Sequence, residues 1–248
     1  MDEALGGGLL CGALHEAAGT PGEEGALSAF VLGLAARAVA RLRRPVLLVR
    51  QEMAEWEAGR LHGPGLAAFG LPPEALLLVR VRKPQDVLFV MEEGLRCAGL
   101  SAVLGEFLSP VPEALTATRR LSLAVRGSER LGLVWRHKAD PAPCAALTRW
   151  RISALPSPAA DGLGGLGAPR FSARLARNRF GPVGTWPLTF HAGLFLSAPD
   201  GNAGGEDGHE CHDEHHEEHH GQDRAGAALS QPRPATLRHG SRRAADVA

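Results

Sequence analysis

A chain of 248 residues with 44% hydrophobic content can bury one sizeable core, and a second full domain would be cramped. Its 27 basic and 27 acidic residues balance, but residues 1–200 carry 22 basic against 18 acidic groups and the remainder 5 against 9, so a mildly basic body joins a mildly acidic tail. Cys11, Cys97, Cys144 and Cys211 form no CxxC pair, which argues against a disulfide framework. With no signal-peptide pattern and no 18-residue apolar run, a soluble cytoplasmic protein is expected.

From Gly12 to Val134 short apolar runs alternate with amphipathic stretches, the pattern of strands joined by crossover helices. Residues 13–18 read as a first strand, weakened by Glu16. Leu27, Phe30, Val31, Leu34, Ala38 and Leu42 recur at helical spacing, so residues 26–42 predict a helix with Arg37, Arg41 and Arg43 turned mostly outward and Pro45 as its stop. The runs 45–50 and 76–81 are continuously apolar, as parallel strands buried on both faces require. Between them, residues 59–73 form a Gly- and Pro-rich loop enclosing a short helix near 66–69. Pro84 opens a helix whose apolar face carries Val87, Val90, Met91 and Leu95. A strand follows at 100–104, a helix at 113–126 through Leu115, Leu121 and Val125, and a fifth strand at 131–135. Segments 149–155, 170–176 and 186–190 lack intervening helices and predict an antiparallel extension of the sheet. The fold expected is α/β: a three-layer core, residues 1–198, with a mostly parallel sheet extended by antiparallel strands, followed by a disordered tail, residues 199–248, too polar to offset its ordering entropy.

The turn after the first strand is where an α/β nucleotide-binding protein places the loop G-x-x-x-x-G-K-[ST], whose backbone amides, lysine and hydroxyl hold phosphate and Mg²⁺. Here it reads Gly19-Thr-Pro-Gly-Glu-Glu-Gly-Ala-Leu-Ser28. No register supplies the lysine, and the chain's two lysines, Lys83 and Lys138, stand far from it in sequence. Glu23 and Glu24 place carboxylates at the helix start, where they stabilise the dipole and repel a triphosphate. An ordinary strand-to-helix turn and a degenerate phosphate loop both fit, and neither hydrolyses ATP. Glu106 stands where a metal-organising carboxylate could lie; lacking a nucleotide to serve, it reads as a helix cap or a surface charge.

Gly12-Ala-Leu-His-Glu-Ala-Ala-Gly19, Gly65-Leu-Ala-Ala-Phe-Gly-Leu71, Val90-Met-Glu-Glu-Gly-Leu-Arg96, Thr116-Ala-Thr-Arg-Arg-Leu121 and Ala146-Leu-Thr-Arg-Trp-Arg151 together resemble ImuA-type proteins, the RecA-like accessory factors of damage-inducible mutagenesis. Arg174-Leu-Ala-Arg-Asn-Arg179 with Gly181-Pro182 and Trp186 is similar to the last core strands of RecA itself. The likeness spans about residues 5–190. It implies a RecA-like core without chemistry or cofactor of its own, working in SOS mutagenesis and translesion synthesis beside an ImuB-type polymerase homologue and an error-prone replicative-type polymerase, with RecA as a further contact. The chain departs from the family by beginning almost at the first core strand, which speaks against an N-terminal oligomerisation arm, and by ending in a His-rich tail.

Between Arg119 and Arg179 twelve Lys or Arg face only Glu129, Asp140 and Asp161, which favours phosphate-rich partners. Arg174, Arg177, Asn178 and Arg179 at a strand end, with Arg119 and Arg120 on a helix, are the candidates for DNA or partner contact; a solvated strand edge and an exposed helix face are the plain alternatives. With no Tyr and 5% aromatics, DNA binding through them is expected to be weak, salt-sensitive and without sequence preference. His209, His212, His215, His216, His219 and His220 offer imidazoles for Zn²⁺, Ni²⁺ or Cu²⁺, though so many interchangeable ligands suit adventitious binding. His15 reads as a packed core histidine. The competing functions are a DNA-stimulated ATPase and a metal-handling protein acting through the tail.

Overall fold

The structure, a computed structural model, describes residues 1, 4–108, 110–111, 113–160, 165, 167–191, 193–197 and 237–238. In chain order these form β1 (Leu9–Leu10), β2 (Ala13–Gly19), α1 (Glu24–Leu42), β3 (Val46–Gln51), α2 (Glu52–Ala58), α3 (Gly63–Ala68), a 3-10 turn (Pro73–Ala75), β4 (Leu76–Val81), α4 (Pro84–Arg96), β5 (Ala102–Phe107), α5 (Ala114–Val125), β6 (Leu131–Arg136), β7 (Thr148–Leu155), β8 (Arg170–Asn178), β9 (Gly184–His191), β10 (Leu194–Ser197) and β11 (Leu237–Arg238). Nine strands make one sheet in the order β10-β9-β8-β7-β2-β6-β5-β3-β4. Pairing is parallel from β7 to β4 and antiparallel from β7 outward to β10.

Alternation along the central strands divides two cores. Leu48, Leu104, Leu133 and Ala17 face α1 on one side of the sheet, while Val49, Val103, Val134 and Leu14 face α4 and α5 on the other. Each such leucine or valine removed from water contributes about 1.5–3 kcal/mol, and burial on both faces explains why these strands read as unbroken apolar runs. The outcome is helix, sheet and helix in three layers, as the sequence predicts.

Several expectations are corrected by position in the sheet. β4, expected to be buried on both faces, is the edge strand, and its Leu77 is 48% exposed. Segment 149–155, expected among antiparallel strands, lies in β7, which pairs parallel with β2, and only the strands beyond it reverse. Leu115, assigned to the inner face of its helix, is exposed, because Ala114, Thr118, Leu121 and Val125 form that face. α1 ends before Pro45, closed by Arg43 at φ 57°, whose N–H bonds the Val39 carbonyl at 2.8 Å. Arg43 is exposed as expected, while Arg37 and Arg41 are half-buried. α2 has no counterpart in the sequence reading. α1 is also the one helix among the described residues long and apolar enough to cross a membrane, contrary to the expectation of no such run; over half of that stretch lies inside the fold. The tail's predicted disorder lies outside the described residues except at Leu237–Arg238, which pair parallel with Leu9–Leu10.

His15 is fully buried, as expected of a core histidine. Its Nε2 lies 2.8 Å from the Leu10 carbonyl and its Nδ1 2.7 Å from Thr148 Oγ1. Trp150 Nε1–H donates to that same hydroxyl at 2.8 Å. The neutral ring, with its proton on Nε2 and Nδ1 accepting from Thr148, satisfies every partner, and burial pushes the His15 pKa down to about 4.

Candidate functional site

The carboxyl ends of the parallel strands form the candidate site, because crossover connections leave a crevice there. Four residues, 20–23, join β2 to α1. The turn needs Gly22, whose φ is 90°. Glu24 Oε1 accepts the Gly22 N–H at 3.0 Å, and Glu23 Oε1 accepts the Ala154 N–H at 3.2 Å. The Gly22 N–H, and next to it the backbone amide of Glu24, hold the Glu24 carboxyl below the usual carboxylate range. Ser28 Oγ, within the first turns of α1, donates to the Glu24 carbonyl at 2.7 Å. A phosphate-binding turn offers free amides; here those of Gly22 and Glu24 are directed onto the Glu24 carboxylate.

Above it opens a cleft of about 650 Å³ lined by Glu24, Gly25, Ser28, Gln51, Met53, Glu57, Ala58, Leu108, His137 and Lys138. Lys138, remote in sequence, therefore lies across the cleft from the turn, which corrects the expectation that neither lysine approaches it. The parallel pairing of β2 with β6 carries the end of β6 alongside the end of β2. One ammonium faces the carboxylates of Glu24 and Glu57, so the lining does not favour a triphosphate.

Beneath the cleft, two ionic clusters are sealed inside the sheet. Glu106, expected as a cap or surface charge, is fully buried. Arg50 Nε meets its Oε2 at 2.5 Å and His137 Nε2 meets its Oε1 at 2.7 Å. Arg50 also donates to the carbonyls of Gly59 at 2.9 Å and Ala54 at 3.0 Å. Glu16, which weakened the strand reading, is buried with Arg136 at 3.3 Å and Arg149 at 2.8 Å, and Arg136 reaches Asp140 at 2.8 Å. β3 pairs β5, and β2 pairs both β6 and β7, so neighbouring strands bring these opposite charges together. Desolvation makes such pairs modest contributors to net stability, but each charge left alone would be costly. Both clusters consume their carboxylates internally, leaving none to organise a metal. Among the described residues no group of three His, Cys, Asp or Glu could hold a metal ion, and Cys11, Cys97 and Cys144 are free thiols.

The sequence-predicted contact residues separate. Arg174, Arg177 and Asn178 lie on β8, which is paired on both sides by β7 and β9; it is not the solvated edge the plain alternative assumed. Asn178 is spent on structure, donating to the carbonyls of Ala4 and Pro182 at 3.2 Å each. Arg177 donates to the Cys144 carbonyl at 3.0 Å, and Arg179, just beyond β8, is exposed. Arg119 and Arg120 are exposed on α5, where Arg120 pairs with Glu92 at 2.6 Å. The six histidines of the tail lie outside the described residues. Sequence reasoning missed Arg151, which stands directly opposite Arg174; the signal was the alternation of Arg149, Trp150, Arg151 and Ile152, which sends both arginines to one face.

No protein-family model matches the chain. The curated protein named Protein ImuA of Caulobacter vibrioides, found in two strains, is 36% identical over 198 residues, covering 74% of this chain and 77% of that protein.

Proposed function

The chain belongs to the ImuA family, and from that premise we propose that it is a RecA-like accessory factor of damage-inducible mutagenesis that assembles a translesion synthesis complex without hydrolysing a nucleotide. In this reading it acts in the cytoplasm through contacts with an ImuB-type polymerase homologue and an error-prone replicative-type polymerase, with RecA as a further contact. The observation that carries it is the Glu24 carboxylate seated on the Gly22 amide. An anion of the chain's own fills part of the cradle that a nucleotide phosphate needs, and the loop supplies no lysine. The consumption of Glu106 by Arg50 and His137 supports the same reading from the far side of the crevice.

Three measurements test it. Calorimetric titration with ATP and Mg²⁺ is expected to show no binding, and turnover with single-stranded DNA no rate above background. A purified ImuB-type partner is expected to be retained by the chain at moderate salt. Measurable turnover would overturn the first half, and failure to retain the partner the second. The placement of Lys138 on the cleft is the one observation favouring the rival reading, a DNA-stimulated ATPase; that reading requires turnover to vanish in Lys138→Ala.

A further inference from the structure

The antiparallel wing, β7 to β10, contains five arginines, Arg149, Arg151, Arg170, Arg174 and Arg177, and no Asp or Glu in any of its four strands. Its inner face is apolar: Trp150, Ile152, Phe171, Ala173, Leu175, Leu188, Phe190 and Phe195 all join the α1 core. Period-two alternation therefore sends Arg149, Arg151, Arg170 and Arg174 to the outer face, with Ser153, Ser172 and Thr185 among them. Pairing then concentrates the charge. Arg151 stands opposite Arg174, and Arg149 opposite Arg177 across a bulge. Like charges directly opposite one another destabilise a sheet, so folding alone gives no reason for this arrangement. Burial and then the nearby guanidiniums of Arg149, Arg136 and Arg174 push the Arg151 pKa down. Arg149 is committed to Glu16 and Arg177 to a backbone carbonyl, whereas among the described residues no side-chain hydrogen bond or ion pair engages the guanidinium of Arg151 or Arg174.

We propose that the outer face of the wing, centred on Arg151 and Arg174, is a binding surface for the phosphodiester backbone of nucleic acid. The composition selects that occupant. A protein partner needs an apolar centre within a polar rim, and around Arg151 and Arg174 this face offers chiefly guanidinium and hydroxyl groups, the side chains that bind phosphate oxygens, with Ala176 and Pro187 as the small apolar residues between them. Without an aromatic on the outer face there is no stacking platform and no base readout, so recognition is of backbone alone. The inference rests on the reading of the chain as a factor of DNA damage tolerance, but its failure is distinguishable, since the nucleotide titration and partner retention are both read without nucleic acid.

The test is fluorescence anisotropy of the full chain with dye-labelled deoxythymidine and deoxyadenosine homopolymers of equal length over a salt series. Equal affinity for the two is expected, with a log–log salt slope near −2, about 0.7 per phosphate neutralised. Arg151→Ala with Arg174→Ala should weaken binding at least about tenfold at low salt and bring the slope towards zero by about 1.4, two phosphate contacts. Arg119→Ala with Arg120→Ala should change neither. The exposed Arg174→Ala alone, at unchanged Tm, should give about half the loss in slope, which keeps the test valid if the double variant fails to fold. The proposal is overturned by absence of binding at low salt, by unchanged affinity in the wing variants, or by polyglutamate of equal charge displacing the oligonucleotide as well as unlabelled DNA does.

Discussion

Between β2 and β4 the arginines buried at the strand ends meet carboxylates: Arg50 meets Glu106, and Arg136 meets Glu16 and Asp140. The strands β7 to β10 themselves carry no carboxylate, and Arg149 borrows Glu16 from the neighbouring strand. The two halves differ in what covers them. Helices lie on both faces of the parallel half, so a charge there is cut off from water and must be paired. The wing packs one face on α1 and leaves the other to solvent, which screens unpaired guanidiniums and lets them accumulate. Charge is therefore a structural element in one region and a surplus open to a ligand in the other.

The sharpest way to break this contrast is to remove a buried partner. Glu106→Ala strands Arg50 in the interior and should destabilise the chain by about 3–5 kcal/mol, read by urea denaturation; a loss comparable to a surface substitution would mean that Arg50 is not sealed from water. Next is the acid response of His15. Its pKa in the fold, about 4, lies below the ordinary value near 6.5, so the unfolded chain binds more protons between those values. Stability should accordingly fall as pH drops through that window, by roughly 3 kcal/mol in all. His15→Gln should flatten this part of the stability profile; an unchanged profile would assign the acid response elsewhere.

The packing that gives the wing its covered face can be tested at Gly33. A Cβ there would come within 2.5 Å of Phe195 and 2.9 Å of Phe190, because the aromatic rings of β9 and β10 lie directly on α1. Gly33→Val should cost about 1–3 kcal/mol through overpacking, measured as a drop in Tm. The smallest effect belongs to Arg174→Ala, expected to stay within about 0.5 kcal/mol of the parent in denaturation even where it alters nucleic-acid binding. Together with Glu106→Ala it forms the direct comparison: an arginine's partner removed inside the parallel half should unfold the chain, and an arginine removed from the wing should not.

Most of the fold was legible in the residues. The apolar runs of β3, β5 and β6 and the helical periodicity of α1 and α4 each carry a local signal, because burial on one or two faces leaves its period in the sequence. The seven-residue α2 is too short to print a period, and the edge position of β4 cannot be read from an apolar run that resembles an interior strand. At the site, the acidic turn and its missing lysine were visible as a contiguous motif. The approach of Lys138, the pairing of Glu106 with Arg50 and His137, and the opposition of Arg151 and Arg174 were not, since each joins residues from separate strands.

The sequence by itself determined that this chain forms an α/β core and that its first crossover turn carries carboxylates where a phosphate would sit, because both depend on neighbours along the chain. Tertiary structure alone decided which charges cancel and which remain. Strand order and register set β3 beside β5 and β7 beside β8, and electrostatic energy depends on distance and burial in space, two quantities that residue spacing does not contain.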